Sequence, residues 1–441
     1  MTKYNIHTLS NGLRIIHLPA DSPVVYCGIG VKVGSRYEQV GDEGLAHFCE
    51  HVTFKGTRRR SALQILNGLE RVGGDLNAFT NKEDTIFYAA VLKEHVSRAV
   101  DLLTDIVFNS TYPAQELAHE VDVICDEIES YNDSPAELIY DEFENQLFQG
   151  HPLGHNILGT RERVLSFTAA DAQRFTHQYY RPDNTIFFAY GDVNFHRLVT
   201  ALEAQTPKEG FRFQDAGFKI QDSSFKIQDA GFKIQDAGFK IQDASVKFQD
   251  ANLKPENLKP ETLKPETIVH HQSHVMIGCK TFGFNDKRRM PLYLLNNMLG
   301  GPSMNARLNL SLRERHGLVY TIESALSSYS DTGCWSVYFG CDHHDVNRCK
   351  RLVARELDRL MQHPLSERQL ASAKRQIKGQ IAIACDNREQ FALDFAKSFL
   401  HYDRERDIDY LFQQIDAITA PALQDVAQQC FAPDRLSTLI L

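Results

Sequence analysis

Two histidines and a glutamate stand close together in the run His47-Phe48-Cys49-Glu50-His51. On a helix, side chains four residues apart project from one face. His47 and His51 can therefore offer ring nitrogens to one Zn2+ at the ~2.0–2.1 Å typical of imidazole. Glu50 is poorly placed as a third ligand in that plane. It can reach a water on the metal instead, and take its proton as the water attacks a carbonyl. With 18 histidines in 441 residues, an HxxEH run arises by chance about 0.04 times per such chain. The plain alternative is two ordinary helix histidines, one buried and one solvated.

A hydrolytic zinc needs a third protein ligand and an open position. Residues 116–131 offer Glu120 and Glu127 on what reads as a second helix. Seven residues is nearly two turns, so both lie on one face. One can ligate while the other supports a ligand from behind. Spacing does not choose between them.

The elements that would carry these groups are legible as patterns. Leu45, Phe48 and Val52 recur at helical spacing across residues 43–57, and Gly56 is a natural stop. Leu117, Val121, Ile124, Ile128 and Tyr131 make an amphipathic stripe. Residues 185–190 form a short apolar run of strand type. Near the start, Asn11-Gly12 between apolar residues signals a hairpin, since both tolerate positive φ. Both halves mix strand and helix periodicities, so two α+β domains are expected.

Between the halves lies an internal repeat. A seven-residue unit fills residues 211–252 in six copies, and a five-residue unit fills 253–267 in three. Phe and Ile sit two apart in the heptads, unlike a coiled coil. Pro255, Pro260 and Pro265 forbid a regular helix interior in the pentads. The segment reads as a linker. The expected organisation is a zinc-binding domain over 1–205, a repeat linker over 206–267, and a second domain over 268–441.

Composition narrows the partners. The formal net charge is -9, with 24% charged residues, which argues against a general nucleic-acid binder. No apolar run approaches the ~20 residues of a membrane span, and no leader-like start is visible. The nine cysteines contain no CxxC pair, as expected of reduced thiols in a cytoplasmic protein. Two further histidine groups, His270, His271 and His274, then His343 and His344, read as adventitious, because neighbours on a strand face opposite sides.

At this point the sequence resembles a known family. The stretch from His47 to His51 is similar to the inverted zinc motif of the pitrilysin/insulinase family, which includes insulin-degrading enzyme and the mitochondrial processing peptidase. Similar stretches recur at residues 54–60, 73–85, 151–160, 179–194 and 312–324. The resemblance implies two homologous metallopeptidase-type α+β domains, processing-peptidase-like, and one Zn2+ per chain. It implies Glu127 as the third ligand, about 76 residues after His51, and Glu120 as the acid that supports a ligand from behind. It also implies that Arg313 and Tyr320 hold substrate and stabilise the oxyanion, and that Asn77, Ala78, Phe79 and Thr80 form a substrate-binding edge strand. Cys49 departs from the family's usual aliphatic residue and reads as packing. The resemblance further implies a homodimer enclosing a chamber, with Arg313 and Tyr320 acting on the partner's zinc site and peptides or unfolded segments as substrates. Two rivals stand beside this expectation. One is a non-catalytic scaffold or silent subunit of a related heterodimer. The other is a different zinc hydrolase or lyase, for which the chain is too long.

Overall fold

A computed structural model describes residues 4–208 and 272–441, which pack as one unit. The repeats at 211–267, together with His270 and His271, lie outside the described residues. In the first stretch β1 (Asn5–Thr8), β2 (Arg14–Pro19) and β3 (Val24–Val31) lead into α1 (Leu45–Thr53) and α2 (Ala62–Glu70). Then come β4 (Asp75–Thr80), β5 (Thr85–Leu92), α3 (Val96–Asn109), α4 (Ala114–Asn132), α5 (Pro135–Leu147), α6 (Arg161–Val164), α7 (Ala169–Tyr179), β6 (Thr185–Gly191) and α8 (Phe195–Gln205). The second stretch holds β7 (Ser273–Phe282), α9 (Arg289–Gly300), β8 (Val319–Ser328), β9 (Thr332–Cys341) and α10 (Val346–Gln362). It ends with α11 (Glu367–Ala384), α12 (Arg388–Tyr402), α13 (Ile408–Ala417), α14 (Ala420–Phe431) and β10 (Ser437–Ile440).

The strands form two sheets, in the orders β1-β2-β6-β3-β5-β4 and β10-β7-β9-β8. The run β6-β3-β5-β4 matches the whole second sheet in strand direction and order, a duplicated α+β unit. The first hairpin forms as expected, but one residue out of place. Gly12 donates to the Leu9 carbonyl, so Ser10 and Asn11 are the central pair and Gly12 follows them at φ +92°. Positive φ is needed once rather than twice, and the glycine supplies it.

The central strands of each sheet are buried on both faces, which is why β6 and β9 read as apolar runs instead of alternating with polar residues. Along β2, β5 and β6 one set of alternating residues, Ile15, Phe87 and Phe187 among them, faces the core packed under α1, α3 and α7. The other set, including Ile16, Ile86, Ile186 and Phe188, faces Phe391, Phe395 and Phe399 of α12. The second sheet repeats the arrangement with the sources reversed. Val275, Val337 and Phe339 face their own helices, while Met276, Cys334 and Tyr338 are covered by Ile139 and Phe143 of α5. Each half thus lends a helix to the other half's sheet.

This exchange makes the two halves mutually dependent for burial. Phe395 has no solvent exposure and its ring meets Tyr4 at 5.5 Å and Phe188 at 6.2 Å. Phe395→Ala is expected to cost about 3–5 kcal/mol, the usual range for a buried phenylalanine. A lowered urea midpoint for both halves together checks it. A transition moving only in the second half would contradict mutual dependence. Polar clamps reinforce the junction: Arg36 bridges Glu83 to Asp331, and His401 Nε2 meets Asp84 Oδ2 at 3.0 Å.

Candidate metal centre

The helix α1 begins after Gly44, which sits at φ +97° with its Cα packed against the 151–160 loop; a Cβ there would lie 2.7 Å from the Leu158 carbonyl oxygen. The residue before the helix therefore has no side chain to cap it. The buried Glu38 carboxylate does so from a distance, accepting from Gly44 N at 3.0 Å and Ala46 N at 2.7 Å. This satisfies two of the first-turn N–H groups that no intrahelical carbonyl reaches. Leu45, Ala46, Phe48, Cys49 and Val52 are completely buried, so α1 is held on several sides and cannot rotate. Cys49 packs with its Sγ 4.0 Å from the Ala172 carbonyl oxygen, away from the histidine face.

That face opens between α4 and β4. His51 Nε2 lies 3.5 Å and His47 Nε2 3.8 Å from Glu127 Oε2. The three donor atoms fall within 4.8 Å of one another. Such separations are long for hydrogen bonds. They suit atoms sharing a tetrahedral cation, whose ligands at ~2.0–2.1 Å stand roughly 3.3 Å apart. Two imidazoles and a carboxylate are a fitting donor set for zinc.

The two rings differ in protonation. Burial, helped by the neighbouring His51, pulls His47 down to about 3, so its ring is neutral and its lone pair available. His47 Nδ1 is buried with no hydrogen-bond partner among the described residues. For His51, burial opposes the cation, but the Glu120 hydrogen bond and the Glu50 and Glu127 charges outweigh it and raise the ring above its ordinary range. His51 Nδ1 contacts Glu120 Oε1 at 2.9 Å. A carboxylate can only accept, so Nδ1 carries the hydrogen, and Nε2 is the nitrogen left to ligate once it has given up its own proton. Burial would raise the Glu120 carboxyl; hydrogen bonds from His51 and Lys55 overcome that and hold it below its usual range.

Glu50 is buried beside this group. One of its oxygens is tied: Thr80 Oγ1, at the end of β4, donates to Glu50 Oε2 at 2.7 Å. Burial raises the Glu50 carboxyl, and the Thr80 hydrogen bond and His51 only partly offset it. A carboxylate so shifted is a stronger base than one in water. The strand β4, with Asn77, Ala78, Phe79 and Thr80, stands at the open edge of the first sheet.

The structure brings His47, His51, Glu50, Glu120, Glu127 and Thr80 together. Arg313 and Tyr320 are not part of that group. Arg313 belongs to a π-helical turn, Asn309–Glu314, and its guanidinium lies 5.9 Å from the centre of the Tyr320 ring. Tyr320 is 82% exposed. Among the described residues neither shares a hydrogen bond or ion pair with the histidines. Of the other histidines, His274 pairs with Tyr338 and His343 with Ser273, while His344 groups only with exposed Asp342 and half-buried Asp345.

Sequence reasoning missed two contacts. Lys55 Nζ meets Glu120 Oε2; its place four residues after His51 was the available signal. The Thr80–Glu50 bond joins residues distant in sequence, and no local pattern announces it.

The family model described as insulinase (peptidase family M16) matches residues 16–161, and the model described as peptidase M16 inactive domain matches 166–377. An uncharacterized zinc protease of Bacillus subtilis is 30% identical, with 98% of this chain and 97% of that protein covered. Another from Streptomyces coelicolor is 30% identical, over 96% of this chain and 86% of its own. A protease from Helicobacter pylori shares the fold at a TM-score of 0.81 and 21% identity, with both chains fully covered. An M16 inactive domain from Pseudomonas fluorescens shares it at 0.77 and 16% identity, over 99% of this chain and 97% of that one.

Proposed function

Since the chain belongs to the insulinase family of peptidases, family M16, we propose that it is a zinc-dependent endopeptidase. In this reading it is a cytoplasmic homodimer that hydrolyses peptides or unfolded segments inside a closed chamber. The observation that carries the reading is the convergence of His47, His51 and Glu127 beside a buried Glu50 tied to an edge strand.

His47, His51 and Glu127 would hold the ion, and Glu120 would orient His51. Bound Zn2+ supplies a Lewis acid that polarises a carbonyl and makes water nucleophilic near neutral pH. Glu50 takes the proton of the attacking water through the oxygen that Thr80 leaves free. It returns that proton to the leaving amine as the C–N bond breaks. The unpaired edge of β4 accepts an extended peptide as an added strand, by backbone hydrogen bonds that tolerate many sequences. Asn77, Ala78, Phe79 and Thr80 line that edge.

Arg313 and Tyr320 would donate to the carbonyl oxygen as charge develops on it. Their exposure and their separation from the histidines support a site completed in trans by a partner protomer. Mixing Glu50→Gln with Arg313→Ala protomers should recover activity that each lacks alone. A mixture no more active than its components argues against sharing.

The central test is metal dependence. Addition of 1,10-phenanthroline should stop hydrolysis of an unstructured peptide, and Zn2+ should restore it. One observation favours a second reading. The matched inactive-domain model spans a region without any HxxEH run. A silent-subunit role would be upheld by a zinc-loaded protein that cleaves nothing.

A further inference from the structure

A second built site lies where α2 crosses α3. The two helices approach closely at Gly68, where a Cβ would stand 2.7 Å from Leu102 Cδ2. This lets Arg98 of α3 reach across and donate from Nε to the Gly68 carbonyl. The bond fixes its guanidinium and leaves both terminal nitrogens without a partner among the described residues.

One face of α3 also carries Asp101 and Asp105. Asp105 is fully buried and accepts from Thr57 Oγ1 at 2.8 Å, from Arg59 Nε at 3.0 Å and from Arg60. Asp101 accepts from Arg59 at 3.1 Å and from Arg60. Thr57 Oγ1 in turn accepts the backbone N–H of Arg59 at 3.1 Å and of Arg60 at 2.9 Å. Two neighbouring guanidiniums are thus held side by side by carboxylates behind them.

The outer surface of this arrangement is a cavity of about 340 Å³, lined by Arg59, Arg60, Gln64, Asn67, Arg71 and Arg98. Every lining side chain carries N–H donors, and no carboxylate faces the space. Arg71 makes no ion pair among the described residues. Four cations meet two carboxylates, so two positive charges stand uncompensated on a chain whose formal net charge is -9. Clustering guanidiniums costs Coulomb repulsion unless an anion relieves it. Their planar forks, once immobilised, match phosphate oxygens bidentately. The volume sits at the small end of ligand pockets.

We propose that this cavity binds a compact multivalent oxyanion of the phosphate type: a diphosphate group, free or carried by a nucleotide. The chemistry assigned to the metal centre uses none of these residues.

The test is calorimetric titration of the full chain with inorganic pyrophosphate at fixed ionic strength. Saturable binding of one anion per chain is expected. Losing Arg71 and Arg98 together, as Arg71→Gln with Arg98→Gln, should weaken it by roughly 10-fold or more, as losing charge-assisted hydrogen bonds does. Arg368→Gln, an exposed charge on α11, should leave it unchanged. Both altered residues are exposed, so the double variant should keep its fold, checked by its melting temperature. It also keeps His47, His51 and Glu127, so pyrophosphate bound only to metal would persist in it unweakened. ADP titrated in parallel separates the sources: ADP binding tighter than pyrophosphate assigns a nucleotide, and the reverse assigns the free anion. The proposal is overturned by no saturable binding, by equal affinity in the double variant, or by sulfate matching pyrophosphate.

Discussion

Glu50→Gln is expected to lower kcat for peptide hydrolysis by about 10²–10⁴-fold, the contribution of a positioned general base, with zinc content unchanged. Glutamine keeps the shape of the side chain and an oxygen that can accept the Thr80 hydrogen bond, so the 2.7 Å contact to β4 survives. What it loses is the capacity to take a proton. It also removes a buried charge whose carboxyl is already pushed upward by burial, so stability should not suffer. Because Glu50 makes no bond that binds peptide equally in ground and transition states, KM should move little while kcat falls. Metal analysis and steady-state kinetics on one preparation separate the cases. A variant with full zinc and near-normal kcat would remove Glu50 from the chemistry.

That contrast of roles was only partly visible in the sequence. The spacing of His47 and His51 fixes a shared helix face, and it needs nothing else from the fold. Glu127 is different. A residue 76 positions on can be brought anywhere by tertiary structure, and within its own helix Glu120 was an equal choice. Only the resemblance preferred one. The exchanged helices were hidden for a related reason. The stripes on α5 and α12 say that a face is buried, but not against which sheet. The first hairpin slipped by one residue because Asn and Gly are both turn formers and the pattern does not say which of them takes positive φ. The arginine-lined cavity needed Gly68 and Leu102 in contact, which no periodicity predicts.

The division of labour between the two glutamates of α4 gives the last and largest effect. Glu120 is fully engaged: one oxygen accepts from His51 Nδ1 and the other meets Lys55. Among the described residues its carboxylate is not one of the three groups whose donor atoms converge, which are His47, His51 and Glu127. Glu127 faces only the two Nε2 atoms, at 3.5 Å and 3.8 Å, among the described residues. Removing a group that orients a ligand typically weakens metal affinity by 10–100-fold. If Glu127 is the ligand proposed above, removing it takes away a negative charge as well and should cost more. Glu127→Gln is therefore expected to lose zinc by more than about 100-fold in affinity, and Glu120→Gln by less, with hydrolysis falling in the same order. Competition against a chromogenic chelator measures both. If Glu120→Gln released zinc while Glu127→Gln held it as tightly as the unaltered chain, the two carboxylates would have to exchange roles. The 2.9 Å bond from His51 would then describe only a metal-free resting arrangement.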